Sequence, residues 1–384
     1  MKNKFVTDGF RSLPFLLFLS FLLSPVRVAA NVGPPSVGGT IARVPTGLEE
    51  IFITRERLLI DMRPLGRLAS ATDEKTVRVE AVYELENRGG EKRLELVFAV
   101  GSENANDFQL FLDDQPVSGA EIKTLTSEEQ ANLPESWQPP ESTPWHVENS
   151  TGSEKGGKLM YFPRRPVKSV GFTLTVPSGK HTLKAAYNSQ PAEYLALEPL
   201  KAWQFAYILA PAREWADFGG LDVTVYVPEG WDVVTSPELA REGDALRGSF
   251  DKIPADALAV TVRSREPAGY RALQMILQAV VLLVILAFPF LLYRRARRSV
   301  ERSWKTWARG IVWSVLWAVL FSAAAYLAFL LPEALIPEAQ FASYGYARGL
   351  GLVFIPFLSA ALIVPGLALW AIAVYRARKR QTSG

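Results

Sequence analysis

Apolar and polar side chains alternate with a period of two, again and again, between residues 50 and 263. Side chains on a strand point to opposite faces in turn, so this pattern predicts half-buried strands. Val77, Val79, Ala81, Tyr83 and Leu85 share one phase, and Arg78, Glu80 and Glu84 the other. Residues 87–90 have turn chemistry, and Leu94, Leu96, Phe98 and Val100 resume the alternation, so a hairpin is expected here. Phe108, Leu110 and Leu112 continue the pattern. A second hairpin is expected where Phe172, Leu174 and Val176 lead through Pro177, Ser178 and Gly179 to Leu183, Ala185 and Tyr187. One-sided stripes follow at Trp203, Phe205, Tyr207 and Leu209, at Leu221, Val223, Val225 and Val227, and at Leu258, Val260 and Val262. Many short strands without long amphipathic helices between them predict β-sandwich architecture, in one or two subdomains.

Beyond residue 270 the alternation stops and three apolar runs appear, at 272–293, 310–331 and 350–375. Each is long enough to cross ~30 Å of hydrocarbon as a helix, the form that satisfies backbone groups within one segment. The expected fold class is therefore a mainly β exported region plus an all-α, three-helix transmembrane region. A shorter apolar stretch, 13–26, follows Lys2, Lys4 and Arg11 and precedes Ala29 and Ala30. That is the three-part pattern of a secretory signal, with cleavage expected after Ala30.

These elements suggest an order along the chain. A signal (1–30) precedes a first β subdomain (31–118), a linker (119–166) and a second β subdomain (167–263). A stem (264–271) leads into the three spans. In the linker the alternation fails, and acidic side chains from Glu121 to Glu154 are countered by Lys123 alone, which favours extension. One larger sandwich with a long excursion is the alternative to two subdomains.

Charge fixes the expected topology. The formal net charge of +3 comes from basic residues in the signal and beside the spans, while the exported part is acidic, so no nucleic-acid partner is expected. Arg294, Arg295, Arg297, Arg298, Arg302, Lys305 and Arg309 separate the first two spans, and Arg376, Arg378, Lys379 and Arg380 follow the third. The loop 332–349 has only Arg348. The positive-inside rule places 294–309 and the tail 376–384 in the cytoplasm and 332–349 outside, on the side the signal also demands for the β region. The expected location is a bacterial plasma (inner) membrane, with the lipid bilayer as one partner.

Candidate chemistry is sparse. With no cysteine there are no disulfides or thiolate sites, and the two histidines, His146 and His181, make a histidine-based metal site or triad improbable. Asp113 and Asp114 read as a hairpin turn before Gln115 and Pro116. Asn104 to Asp107 offers oxygen ligands without the spacing of a calcium loop. No phosphate-cradling glycine loop, serine elbow or dinucleotide fingerprint occurs, so neither catalytic residues nor cofactors are assigned. None of the spans has an interior charged residue, which favours anchoring over transport. Candidate partner contacts are Trp137 and Trp145 in the linker, either exposed for docking or covering a sandwich edge, and Gln274 and Gln278, which share one helix face.

The later β segment has a recurring cadence: Trp203-Gln204-Phe205-Ala206-Tyr207, Pro211-Ala212-Arg213-Glu214-Trp215, Phe218-Gly219-Gly220-Leu221 and Val227-Pro228-Glu229-Gly230-Trp231. With Arg57-Leu58-Leu59-Ile60 and the turn at Asn87-Arg88, it resembles bacterial exported β-sandwich proteins classed as domains of unknown function, over residues 45–262. The resemblance implies no active site. The functional expectation is a membrane-anchored, non-enzymatic binding or scaffolding module with an envelope or membrane protein partner. The alternatives are a carboxylate-based envelope hydrolase and an accessory subunit of a transport or signalling complex.

Overall fold

The computed structural model describes residues 38–39, 41–43, 50–70, 72–99, 108–117, 122–126, 135–137, 140, 142–145, 157–160, 169–195, 199–298, 304–342 and 345–382. The expected signal, His146 and the stretch 104–107 lie outside them. An eight-stranded sheet runs β17 (Ala240–Glu242), β18 (Ala245–Phe250), β15 (Leu221–Tyr226), β3 (Ile51–Asp61), β4 (Val77–Asn87), β12 (Gly179–Ser189), β6 (Gln109–Leu112), β7 (Gln115–Pro116). Its β3–β15 pair is parallel and the others antiparallel. A four-stranded sheet runs β2 (Ile41–Arg43), β5 (Lys92–Ala99), β11 (Ser169–Val176), β8 (Ile122–Thr124). A five-stranded sheet runs β1 (Gly38–Gly39), β14 (Ala202–Ile208), β19 (Ala257–Arg263), β16 (Asp232–Ser236), with β13 (Ala192–Tyr194) also on β14.

One contiguous core joins all three sheets, as expected for a single sandwich. The eight-stranded sheet supplies Ile60, Val79, Tyr83, Leu183 and Val223; the four-stranded sheet Leu96, Phe98 and Phe172; the five-stranded sheet Trp203, Phe205 and Val260. Strands from both sides of 119–166 share sheets, so the division into subdomains 31–118 and 167–263 gives way to the single-sandwich alternative. The segment 119–166 is itself partly folded. Besides β8, it forms the antiparallel pair β9 (Ser142–Trp145) and β10 (Gly157–Met160). Thr143 and Trp145 are buried on alternate residues of β9, so a short strand's alternation survives inside a segment whose composition reads as linker.

Both expected hairpins are corrected. β4 pairs with β3 and β12, and β5 with β2 and β11; β11 and β12 likewise do not pair with each other. In each case the chain leaves one sheet and enters the facing one. The two arches stack, because β4 lies beside β12 (Asn87 opposite Gly179) and β5 beside β11 (Lys92 opposite Val176). Asn87, nearly fully buried, binds the arches together. Its Nδ2 donates to the carbonyls of Gly90 (2.8 Å), Val176 (3.0 Å) and Pro177 (2.9 Å), and its Oδ1 accepts from the Gly89 amide (3.0 Å).

Three helical passages follow: α1 (Tyr270–Ala296), α2 (Trp304–Glu333), and a third divided into α3 (Gly345–Ala361) and α4 (Ile363–Thr382). All three are long and apolar enough to cross a membrane. The third divides beside Pro365, which has no N–H to offer the carbonyl of Ala361. Phe288 and Leu292 of α1, Trp317 and Phe321 of α2, and Trp370 and Val374 of α4 form the shared interior. α2 and α4 meet closely at glycines: a Cβ on Gly310 would lie 2.7 Å from Trp370, and one on Gly366 2.7 Å from the Ser314 hydroxyl.

The segment after α2 returns to the sandwich. Leu200 and Phe341 form an antiparallel bridge, with the Lys201 amide donating to Gln340 (3.1 Å) and the Ala342 amide to Pro199 (2.9 Å). Leu200, Tyr270 and Ile336 form a buried cluster with Phe341, and Ala339 enters the main sandwich core.

Candidate interaction face

The eight-stranded sheet buries one face and turns the other outward. On β3 the outward set is shaped by a bulge at Thr54, where the register against β4 shifts between Ile53 and Arg55. Ile51 and Ile53 point inward before it, Glu56, Leu58 and Ile60 after it. That leaves Arg55, Arg57, Leu59 and Asp61 outward, and cross-strand register extends them into rows. One row reads Ser249, Asp222, Arg57, Val82, Lys184, Phe111. The next reads Arg247, Thr224, Leu59, Glu80, Ala186, Gln109.

Opposite charges on these rows are matched. Arg55 grips Asp222 through both Nε and Nη2, the latter at 2.6 Å to Oδ1, and Ser249 Oγ donates to the same carboxylate at 2.8 Å. The bond from Arg55 holds the Asp222 carboxyl below the usual range against a smaller opposing effect of burial. Arg57 pairs with Glu84, and Lys184 Nζ with Glu80 at 2.8 Å. Arg63 pairs with Asp61 at 2.8 Å while its guanidinium lies 4.3 Å from the centre of the Tyr226 ring. The result is an outward face on which paired charges alternate with Leu59, Val82, Phe111 and Tyr226.

Beneath this face lies a polar group that sequence reasoning missed. Glu56 is fully buried and accepts a hydrogen bond from Tyr207 Oη at 3.0 Å; Tyr83 Oη lies 2.7 Å from the same phenol. Since Tyr207 gives its proton to Glu56, the order of donation is Tyr83 to Tyr207 to Glu56. Burial, then the Glu56 charge, pushes the Tyr207 phenol well above its ordinary value, so it stays a donor. The available signal was phase: Glu56 sits two and four residues before Leu58 and Ile60. A second cluster places Glu193 between Lys201 (2.9 Å) and Lys75, with the Lys201 ammonium 4.8 Å from the centre of the Trp203 ring.

The residues singled out by sequence fall in different places. Trp137 and Trp145 are 6% and 5% exposed, so neither ring is presented for docking. Trp145 packs on Ala202 beside Tyr194 and Val234, covering the sandwich, and Thr143 Oγ1 lies 2.5 Å from Gln204 Nε2 and 2.8 Å from Thr261 Oγ1. Gln274 is half-buried and Gln278 exposed on α1, outside the sheet. Asp113 and Asp114 have φ of 51° and 63°, the left-handed pair of a two-residue hairpin turn between β6 and β7, as the sequence implies.

That turn orients a histidine. Asp113 Oδ2 lies 2.7 Å from His181 Nδ1, and its Oδ1 accepts the Thr182 amide at 2.8 Å. Burial would raise the Asp113 carboxyl, but these two bonds hold it below the usual range. His181 Nε2 is buried and takes no hydrogen bond among the described residues, so the pair lacks the nucleophile a triad would place there. Among the described residues no group of three His, Cys, Asp or Glu could hold a metal ion.

No family model matches the chain, and no curated protein does. Among solved structures, a Legionella pneumophila protein provisionally described as nutrient binding is similar at a TM-score of 0.37 and 9% identity, over 86% of this chain and 99% of that one. The M1 zinc metallopeptidase of Deinococcus radiodurans scores 0.25 at 8% identity, over 60% of this chain and 45% of that one. The leukotriene A4 hydrolase of Saccharomyces cerevisiae scores 0.27 at 8% identity, over 56% and 29%. The chain thus spans less than half the length of either of these two proteins. At these scores the likenesses assign no activity.

Proposed function

We propose that this chain is a membrane-anchored, non-enzymatic binding module of the bacterial cell envelope, which meets an envelope or membrane protein through the outward face of its eight-stranded sheet. The observation that carries this reading is the composition of that face. Apolar Leu59, Val82 and Phe111 are interleaved with side chains whose charges are already matched. Such a surface has little net field to attract a small ion and offers apolar area with a polar surround, which suits a protein partner. The engagement of Asp222, Glu84 and Glu80 by basic neighbours weighs against the hydrolase alternative, which needs one carboxyl kept protonated opposite another. The basic residues after the first and third passages support an outward-facing sandwich and a cytoplasmic tail.

Photo-crosslinking residues placed at positions 59 and 111 in intact membranes test this reading, with Glu214, exposed in the helical turn 210–214 outside the sheet, as the control site. One protein should be recovered from both face positions and not from 214, and Leu59→Asp should lower its yield several-fold. Recovery of the same species from all three sites, or of none from the face, would overturn the proposal.

A further inference from the structure

Among the described residues of the helical passages, four polar side chains are turned inward and bonded to carbonyls. Ser314 Oγ donates to Gly310 (2.9 Å), Ser359 Oγ to Ile355 (2.7 Å), Trp317 Nε1 to Val284 (3.1 Å) and Tyr326 Oη to Leu352 (3.0 Å). Gln278 differs from these four: it is exposed on α1 and has no hydrogen-bond partner among the described residues. It lies eight residues into the helix and past the start of the apolar run at 272, by about 9 Å along the axis at ~1.5 Å per residue. An amide left bare in hydrocarbon loses the bonds water gave it and gains none from lipid. Met275, Leu282 and Leu286 are exposed at helical spacing on either side of it, so the amide lies within a continuous apolar stripe.

We propose that this stripe pairs with the same stripe of a second copy of the chain, with Gln278 bonded to its own counterpart across a two-fold axis. Two features favour a second copy over another protein. A carboxamide carries donor and acceptor together, so two of them satisfy each other without further chemistry. Copies inserted by one topology also run parallel, so position 278 meets position 278 at the same depth, a match another helix would have to reproduce by its own sequence. A single polar residue within an apolar seam also fixes register, which gives the pair one geometry.

The absence of native cysteine makes the test clean. Met275→Cys and Leu282→Cys on the stripe, and Val281→Cys and Val284→Cys on the half-buried side, would each be oxidised in native membranes. Dimers should form at 275 and 282 and not at 281 or 284. In the Leu282→Cys background, Gln278→Leu should lower association on the order of tenfold, the effect of losing interhelical amide bonds in lipid, and Gln278→Asn should largely restore it. Leucine is at home in the bilayer, so the first variant still inserts. No dimer at 275 or 282, adducts with a different protein in its place, or dimers indifferent to Gln278→Leu would each overturn the proposal.

Discussion

Asn87 shows how much of the sandwich can hang on one side chain. Its amide serves three carbonyls from two arches, so Asn87→Ala leaves buried acceptors without donors at the point where the facing sheets are tied. The expected cost is ~1–3 kcal/mol, read as a lower unfolding midpoint of the detergent-solubilised chain; an unchanged midpoint would show that the arches hold without it. Glu193 makes a different demand. Burial alone would raise its carboxyl, but Lys201 and Lys75 hold it below the ordinary value, while burial, with a smaller push from Lys75, leaves Lys201 below its own ordinary value despite Glu193. A folded-state pKa below the unfolded value of ~4.3 stabilises the fold above that pH, and the contribution disappears as pH falls through the depressed value. The wild-type midpoint should therefore drop more steeply than that of Glu193→Gln as pH is lowered from about 5 to about 3, across that carboxyl's range. Parallel pH profiles would exclude the assignment.

At the scale of elements, the α2–α4 contact tests whether the helices form a fixed bundle. Gly310 lies against the nearly fully buried ring of Trp370, which has no room to retreat. Gly310→Val should cost roughly 1–3 kcal/mol by overpacking, seen as a lower midpoint in detergent. Gly351→Ala, whose Cβ would stand 3.3 Å from Phe329, should be much milder, and equal effects would contradict close packing at Gly310. Strands and helical passages were legible in the sequence because each depends on a local period: two for Val77 to Leu85, a sustained apolar run for α1. Pairing was not legible. A strand that turns back beside its predecessor and one that crosses to the facing sheet both direct their apolar phase to the core, so alternation reads alike for hairpin and arch. β9 escaped because four residues in an acidic, proline-bearing stretch have too few alternations to register. The outward face was hidden because a one-residue bulge at Thr54 shifts the phase set by Ile51 and Ile53, and only cross-strand register reveals which polar residues share a surface, whereas Glu56 was within reach through its phase with Leu58 and Ile60.

For the whole molecule, the decisive contact is the one between the sandwich and the segment that follows α2. A short stem alone, such as residues 264–269, would allow the sandwich to swing above the helices. Here the chain is held at a second point, where Phe341 bridges Leu200 and Ile336 closes a cluster with Leu200 and Tyr270 at the first turn of α1. Two attachments at different places remove most of the freedom a single stem leaves, so a load on the sheet face is transmitted to α1 and α2 together. Ile336→Asp places a carboxylate in that cluster, where it has lost water and gained no partner, and it should release the second attachment without reaching the main core. With spin labels at Lys252→Cys on the sandwich and Lys305→Cys on α2, the wild type should give one narrow distance distribution and Ile336→Asp a broad one. Amide exchange should accelerate at 334–342 and at 199–201, while β4 and β12 keep their protection. Ile336→Val, which keeps the apolar contact, should behave as wild type. If the distribution stays narrow in Ile336→Asp, the stem alone sets the orientation; if β4 and β12 also lose protection, the cluster belongs to the folding core rather than to a separable clamp.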